Sequence, residues 1–184
     1  ASLALGNHNN QQQMTPQLVK LLGSPDDGTM KRAARSLWRI VKENPEDNKH
    51  IANSGGAGQL VMLLRDGKPN ARKYALWSLS LSIDKEQQKT VSETGGVKPL
   101  VASLSSSNTM VTKQAAGALA LLAHGNSDAQ KEIARAGGIA PLIDLLDCTE
   151  SEGTREHAAA ALSELALIPS NKTTIDRAGA ISPL

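Results

Sequence analysis

The side chains that could do chemistry in this chain are few. The run Gly55-Gly56-Ala57-Gly58 has the composition of a phosphate-binding loop, but it follows a helical pattern rather than a strand. Similar glycine runs recur later in the chain, so we interpret this one as a turn between helices. Gly67-Lys68 lacks the upstream glycine of a phosphate loop, because Met62 occupies that position. We therefore expect no phosphate site in either place.

Nucleophiles and metal ligands are equally sparse. The histidines His8, His50, His124 and His157 are spread along the chain, and none has a second ligand at metal spacing. The sole cysteine, Cys148, excludes an intramolecular disulfide and a Cys-rich zinc site, and the carboxylates that follow it disfavour a reactive thiolate. We expect no catalytic residue, no metal site and no cofactor, and predict that the chain is not an enzyme.

Composition narrows the class of protein. Hydrophobic residues make up 40% of the 184 residues, enough to bury a core, but aromatic residues only 2%, with no Phe. The core must therefore be thin and built from aliphatic side chains. A net charge of +2 argues against general nucleic-acid or membrane binding. No apolar run approaches the roughly 18 residues of a membrane span, and residues 1–15 are not a signal peptide. We expect no membrane contact and a cytoplasmic or nuclear location.

One phrase recurs along the chain. Glycine-led phrases begin at residues 55, 95, 137 and 179, and three of them continue to Pro-Leu. The steps are 40, 42 and 42 residues, a period typical of repeat proteins. One further step back reaches Gln13, where Pro16-Gln17-Leu18-Val19 continues in register without the glycines.

Each period is predicted to form three helices. A short first helix ends at the glycines, which supply the left-handed residue that stops a helix. The second helix opens with Pro99, Pro141 or Pro183 in three of the periods. The third helix is the longest and is rich in alanine, with apolar residues at i, i+3, i+4 and i+7. Small alanines let neighbouring helices approach closely, which explains a core without aromatic rings.

These features resemble the armadillo repeat family over nearly the whole chain. The resemblance implies an all-α fold, a right-handed superhelical solenoid of three-helix armadillo repeats. We expect residues 1–184 to form a single array that is a segment of a longer one, whose ends could associate end to end. Its repeats are predicted at 13–54, 55–94, 95–136 and 137–178, with the end of a partial repeat at 1–12 and the start of a further repeat at 179–184.

The resemblance also implies where a ligand binds. In this family the third helices line a concave face on which extended peptides bind. The nuclear-import adaptors carry a Trp, and an Asn four residues later, on each third helix. The matching pairs here are Arg35 and Arg39, Trp77 and Leu81, Gly117 and Leu121, and Ala160 and Glu164. Because these eight positions hold one Trp and no Asn, we do not expect import-adaptor function.

Basic residues occupy the region where the import adaptors have their repeated Trp–Asn pairs, which we call the ladder. Arg35, Arg39 and Lys42 share one helical face, and Lys73 lies close to Trp77 on the next third helix. Residues 1–92 carry a net charge of +5 and residues 93–184 a net charge of −3. A basic concave strip suits an acidic extended peptide, as in the β-catenin branch of the family. The candidate peptide-binding residues are Lys31, Arg35, Arg39, Lys42, Lys73, Trp77 and Leu81.

An alternative for these residues stays open. They could be ordinary solvated charges on a convex or lateral face, with Trp77 packed in the core. Trp38 occupies a position held by Ser80 and Ala120 in later repeats, and we expect it to fill space between repeats.

The function predicted from these observations is a non-enzymatic scaffold that binds an extended, acidic or amphipathic segment of a protein partner. Two alternatives are kept. The run from Leu165 to Lys172 and Ala178-Gly179-Ala180-Ile181 resembles repeats of plant-type U-box ligases, which suggests the substrate-recruiting region of a ubiquitin ligase. A structural subunit packing laterally in a large assembly, such as a ciliary complex, would use convex and edge residues instead. Three aromatic residues are too few for a nucleic-acid stacking platform.

Overall fold

The computed structural model of the protein describes residues 13–147 and 151–178. Within these two ranges the regular secondary structure is helical, and no strand is present. Contacts divide the chain into two compact units, Ala1–Ser82 and Ile83–Leu184, which we call the first and second units.

The first unit is built around two long helices in contact, one from each of two successive repeats. Helical residues 13–21 (α1) precede α2 (Asp27–Glu43), and a 3-10 turn (Pro45–Asp47) leads into α3 (Asn48–Asn53), α4 (Gly56–Asp66) and α5 (Pro69–Ser82). Helix α2 packs against α5, and α4 packs on α5. Their apolar faces meet in a core where Leu37, Leu60 and Leu79 are inaccessible to solvent.

The second unit again places two shorter helices before each long one. It contains α6 (Lys85–Glu93), α7 (Val97–Ser103), α8 (Thr109–Ala123), α9 (Ser127–Arg135), α10 (Ile139–Asp144), a 3-10 turn (Leu145–Asp147), α11 (Glu152–Leu165) and α12 (Pro169–Arg177). Helix α8 packs on α11, and Leu119 and Leu165 are fully buried. Ala115, Ala116 and Ala118 are also fully buried, which confirms that small residues build this core.

The glycine pairs stop helices as predicted. Gly55, Gly95 and Gly137 have φ of 71°, 76° and 82°, the left-handed region in which a Cβ is strained. After Gly137, the N–H of Gly138 donates to the carbonyl of Ile133 at 3.0 Å, closing the end of α9. A Cβ on Gly138 would lie 2.8 Å from the Cγ2 of Ile133, so the second glycine is needed for close packing.

The predicted start of the second helix is wrong by two residues in the two described repeats that carry the proline. Helix α7 begins at Val97 and α10 at Ile139, so Pro99 and Pro141 are third residues rather than first ones. Proline is still tolerated there because the first four N–H groups of a helix have no partner within it. Pro183, the third such proline, lies outside the described residues.

Candidate functional site

The outward face of α2 carries the first half of the predicted strip. Lys31, Arg35, Arg39 and Lys42 are all exposed. The ammonium of Lys42 lies 5.2 Å from the centre of the Trp38 ring, within cation–π range. Trp38 therefore shares its face with Lys42, one helical turn away.

Arg39 lies at the edge of this face. Its guanidinium is 3.6 Å from the carboxylate of Glu43, and both side chains are at least half exposed, so the ion pair is a weak one. Arg39 also lines a shallow cavity of about 150 Å³ together with Met14 and Leu18 of α1. This places Arg39 on the side of α2 that borders α1.

The second half of the strip lies on α5. The ammonium of Lys73 is 5.0 Å from the ring centre of Trp77 and 5.2 Å from that of Tyr74. Trp77 is half-buried, and its indole N–H is buried without a hydrogen-bond partner among the described residues. Leu81, one turn further along α5, is 43% exposed, and its carbonyl accepts a hydrogen bond from the side-chain amide of Asn48 at 2.6 Å.

All three aromatic side chains of the protein meet between α2 and α5. The ring centres of Trp38 and Trp77 are 5.0 Å apart, and Tyr74 lies 5.9 Å from Trp38 and 5.4 Å from Trp77. These separations are typical of attractive aromatic pairs. With Lys42 and Lys73 above them, the rings form one continuous surface, which we call the aromatic–lysine cluster (Trp38, Lys42, Lys73, Tyr74 and Trp77).

The cations of this surface are largely uncompensated. In the part of the chain that the structure describes, no carboxylate comes within 4.0 Å of Lys31, Arg35, Lys42 or Lys73. The acidic residues near the start of α2 pair elsewhere: Asp26 lies 3.8 Å from Arg32, and Asp27 lies 3.6 Å from Lys68. The surface therefore carries positive charge that nearby carboxylates do not neutralise.

The structure thus brings together three of the seven predicted site residues, namely Lys42, Lys73 and Trp77. Lys31, Arg35 and Leu81 are exposed on the same two helices. Trp38 and Tyr74 were not predicted to belong to the site, although Trp38 does pack between neighbouring third helices as expected. A helical-wheel argument could have found Trp38, because Lys31, Trp38 and Lys42 are spaced at i, i+7 and i+11 on one face.

The matching face of the second unit has a different chemistry. Gly117 and Ala160 occupy the two Trp positions of the ladder, and a Cβ on Gly117 would lie 3.4 Å from the ring of His157. Glu164 occupies an Asn position, and its carboxylate lies 2.8 Å from Nδ1 of His124. No Trp, Tyr or Phe side chain lies on this face, since Trp38, Tyr74 and Trp77 all belong to the first unit.

The described residues form neither a metal site nor a membrane-spanning helix. Among residues 13–147 and 151–178, no group of three or more His, Cys, Asp or Glu side chains could hold a metal ion. No helix in these ranges has both the length and the apolar character needed to cross a membrane. His8 and Cys148 lie outside the described residues.

Comparisons with known proteins identify the repeat. The armadillo/β-catenin-like repeat model matches residues 84–124 and 126–167. A comparison with curated proteins gave no match.

Similar solved structures include three designed proteins. The designed armadillo repeat protein YIII(Dq)4CqI is 31% identical with a TM-score of 0.78, over 90% of this chain and 70% of that one. The designed armadillo repeat protein YIII(Dq.V1)4CPAF, solved in complex with the peptide (KR)4, is 32% identical with a TM-score of 0.77, over 91% and 71%. A computationally designed armadillo repeat protein for modular peptide recognition is 26% identical with a TM-score of 0.80, over 97% and 82%.

These matches agree with the helix order and the glycine turns described above. The predicted fold class, an all-α solenoid of armadillo repeats, is confirmed. The chain belongs to the armadillo repeat family.

Proposed function

We propose that this chain is a non-enzymatic protein-interaction scaffold whose α2–α5 surface binds an extended acidic segment of a protein partner. The single observation that carries the proposal is the aromatic–lysine cluster, in which two lysines without carboxylate partners lie over three adjoining rings. The predicted cytoplasmic or nuclear location is part of the same proposal.

The solved relatives support a peptide as the ligand. One of them is in complex with the peptide (KR)4, and another was designed for modular peptide recognition. The charge here favours the opposite kind of peptide. Helices α2 and α5 carry seven Lys and Arg residues against two carboxylates, so a basic peptide would be repelled and an acidic one attracted.

The rings matter as much as the charges. An exposed ion pair contributes only about 0.2–1 kcal/mol, so a few lysine–carboxylate contacts in water would bind weakly. Half-buried Trp side chains add apolar contact area and lower the local dielectric, which strengthens each ion pair beside them. Selective binding therefore requires charge and apolar contact together.

The test uses a fluorescein-labelled acidic peptide and a sequence-matched peptide with Lys in place of Glu, measured by fluorescence anisotropy. We expect the chain to bind the acidic peptide only, with affinity falling as salt rises. The variant Arg35→Glu/Lys42→Glu/Lys73→Glu should lose binding. The control Lys20→Glu/Lys49→Glu/Lys98→Glu changes the net charge equally at exposed lysines elsewhere and should keep it.

Either of two results would overturn the proposal. Equal loss in both triple variants would mean that net charge, rather than this surface, attracts the peptide. Tighter binding of a single-stranded oligonucleotide of matched charge to the same surface would favour a nucleic acid instead. Thermal melts of all variants keep loss of binding separate from loss of folding.

Of the two alternative functions, only lateral packing predicts a different result in this experiment. Substrate recruitment within a ubiquitin ligase would use the same surface and the same residues. Lateral packing in a large assembly would use other faces, so the first triple variant should then assemble normally.

A further inference from the structure

We propose that the segment bound at the aromatic–lysine cluster has an acidic residue, an apolar residue and a second acidic residue at alternate positions of an extended strand, that is, at i, i+2 and i+4. This inference rests on the proposed function, because it specifies the pattern of the acidic segment that the same surface binds.

The cluster has a positive charge at each end and an apolar centre. Lys42 lies over Trp38, and Lys73 lies over Trp77. The two indoles contact each other with ring centres 5.0 Å apart. Three steps of 5.0–5.2 Å therefore link the two ammonium groups, which places them at most about 15 Å apart.

An extended peptide can span a separation up to this limit. Its residues rise about 3.3 Å each, and alternate side chains point the same way, so like-facing residues recur about every 6.6 Å. Positions i and i+4 are then about 13 Å apart, and the carboxylates at these positions reach one lysine each. Position i+2 faces the indoles between them.

The centre of the pattern should be apolar because of what lies under it. Trp38 and Trp77 are each half-buried, so part of each indole is open to solvent. A leucine over these rings removes apolar surface from water on both partners, whereas a third acidic residue there would lie on the electron-rich ring faces. Tyr74 packs edge-on against Trp77 at 5.4 Å and holds that ring in place.

The test compares two peptides of equal composition. Gly-Ser-Glu-Ser-Leu-Ser-Glu-Ser-Gly has the pattern, and Gly-Ser-Leu-Glu-Glu-Ser-Ser-Ser-Gly has the same residues without it. We expect the patterned peptide to bind about tenfold more tightly to the whole chain. Replacing its Leu with Ser should remove most of this difference.

A charge swap tests the two ends separately. Lys42→Glu and Lys73→Glu should each weaken binding of the patterned peptide about tenfold. Two further peptides each carry Lys in place of one of the two Glu residues. Each of these peptides should regain affinity for a different one of the two lysine variants. Lys49→Glu is the control, because Lys49 is exposed outside the cluster.

The outcomes separate this inference from the proposed function. If the rearranged peptide binds as tightly, and both peptides lose binding in the triple variant, the pattern is wrong while the acidic-peptide function stands. Rescue of both lysine variants by the same peptide would also overturn the pattern. If no acidic peptide binds the native chain, the proposed function fails, and the inference fails with it.

Discussion

At the scale of single residues, His157 is a half-buried side chain of the second unit beside Gly117. Its ring lies against Gly117, where a larger side chain would meet it. Burial lowers the pKa of His157, and the neighbouring positive charge of Lys113 lowers it further, while Glu156 acts in the opposite direction. Burial and the charge of Lys113 therefore both favour the neutral form of the imidazole.

This environment predicts a pH dependence at His157. Because the pKa is lower in the folded chain, the unfolded chain takes up the proton first. The lowered pKa of His157 therefore makes the free energy of unfolding depend on pH. The contribution of the neutral ring to stability is fully present above the ordinary histidine pKa of about 6.5. It is lost as the pH falls from there through the pKa of the folded state. NMR titration of the ring should show Lys113→Gln raising the pKa of His157, because the repulsion is removed.

The control for this prediction is Lys98→Gln, which removes an exposed lysine of α7 in the same unit. It should leave the His157 titration unchanged. If Lys98→Gln shifts the pKa as much as Lys113→Gln does, the effect comes from net charge rather than from the neighbour. In His157→Gln, the loss of stability with falling pH should be smaller below about pH 6.5.

At the scale of elements, amide side chains from the short helices cap the ends of long helices. The side chain of Asn48 donates to the carbonyl of Leu81 near the end of α5. The amide of Gln88 donates to the carbonyls of Leu121 and His124 at the end of α8, at 2.8 and 2.9 Å. Helix ends leave carbonyls without partners, and these amides satisfy them. Asn48 and Gln88 begin equivalent phrases, 40 residues apart.

Gln88→Met tests this cap. Met fills a similar volume but donates no hydrogen bond, so two carbonyls at the end of α8 lose their partner. Gln88 is 7% exposed, and we expect a loss of about 1–3 kcal/mol in unfolding free energy, measured by urea denaturation. Lys89→Met, at the next and exposed position of α6, should change it by less than about 0.5 kcal/mol. Equal stability of the two variants would contradict the capping role.

At the scale of the whole molecule, the two units differ in charge as well as in surface chemistry. The first unit has eleven Lys and Arg against six Asp and Glu, and the second has nine against twelve. The net charges of +5 and −3 add to the +2 of the chain. The basic excess lies in the unit that holds the aromatic–lysine cluster, so both the charge and the apolar contacts of the proposed site belong to the first unit.

The sequence predicted the parts of the fold that depend on local patterns. The left-handed glycines and the Ala-rich long helices follow from backbone sterics and helical spacing, which act within a few residues. The start of α7 was misplaced by two residues, because a proline in the first turn is compatible with several starting positions. The packing of Trp38 on Tyr74 and Trp77 joins residues more than thirty positions apart. Spacing within one helix can place Trp38 on the face of Lys31 and Lys42, but it cannot show the contact of Trp38 with two rings of another helix.

Repeat architecture leads to a prediction about how stability is distributed. In a repeat protein each repeat is stabilised mainly by its neighbours, so a defect should be felt locally. Leu37 in α2 and Leu119 in α8 are both inaccessible to solvent, one in each unit. Truncation of either to Ala should cost about 2–5 kcal/mol locally. Hydrogen exchange of Leu37→Ala should then show lost protection in α2 and α5, with α8 and α11 much less affected, and Leu119→Ala should show the reverse. Equal loss of protection in both units for either variant would mean that the chain unfolds as a single cooperative body.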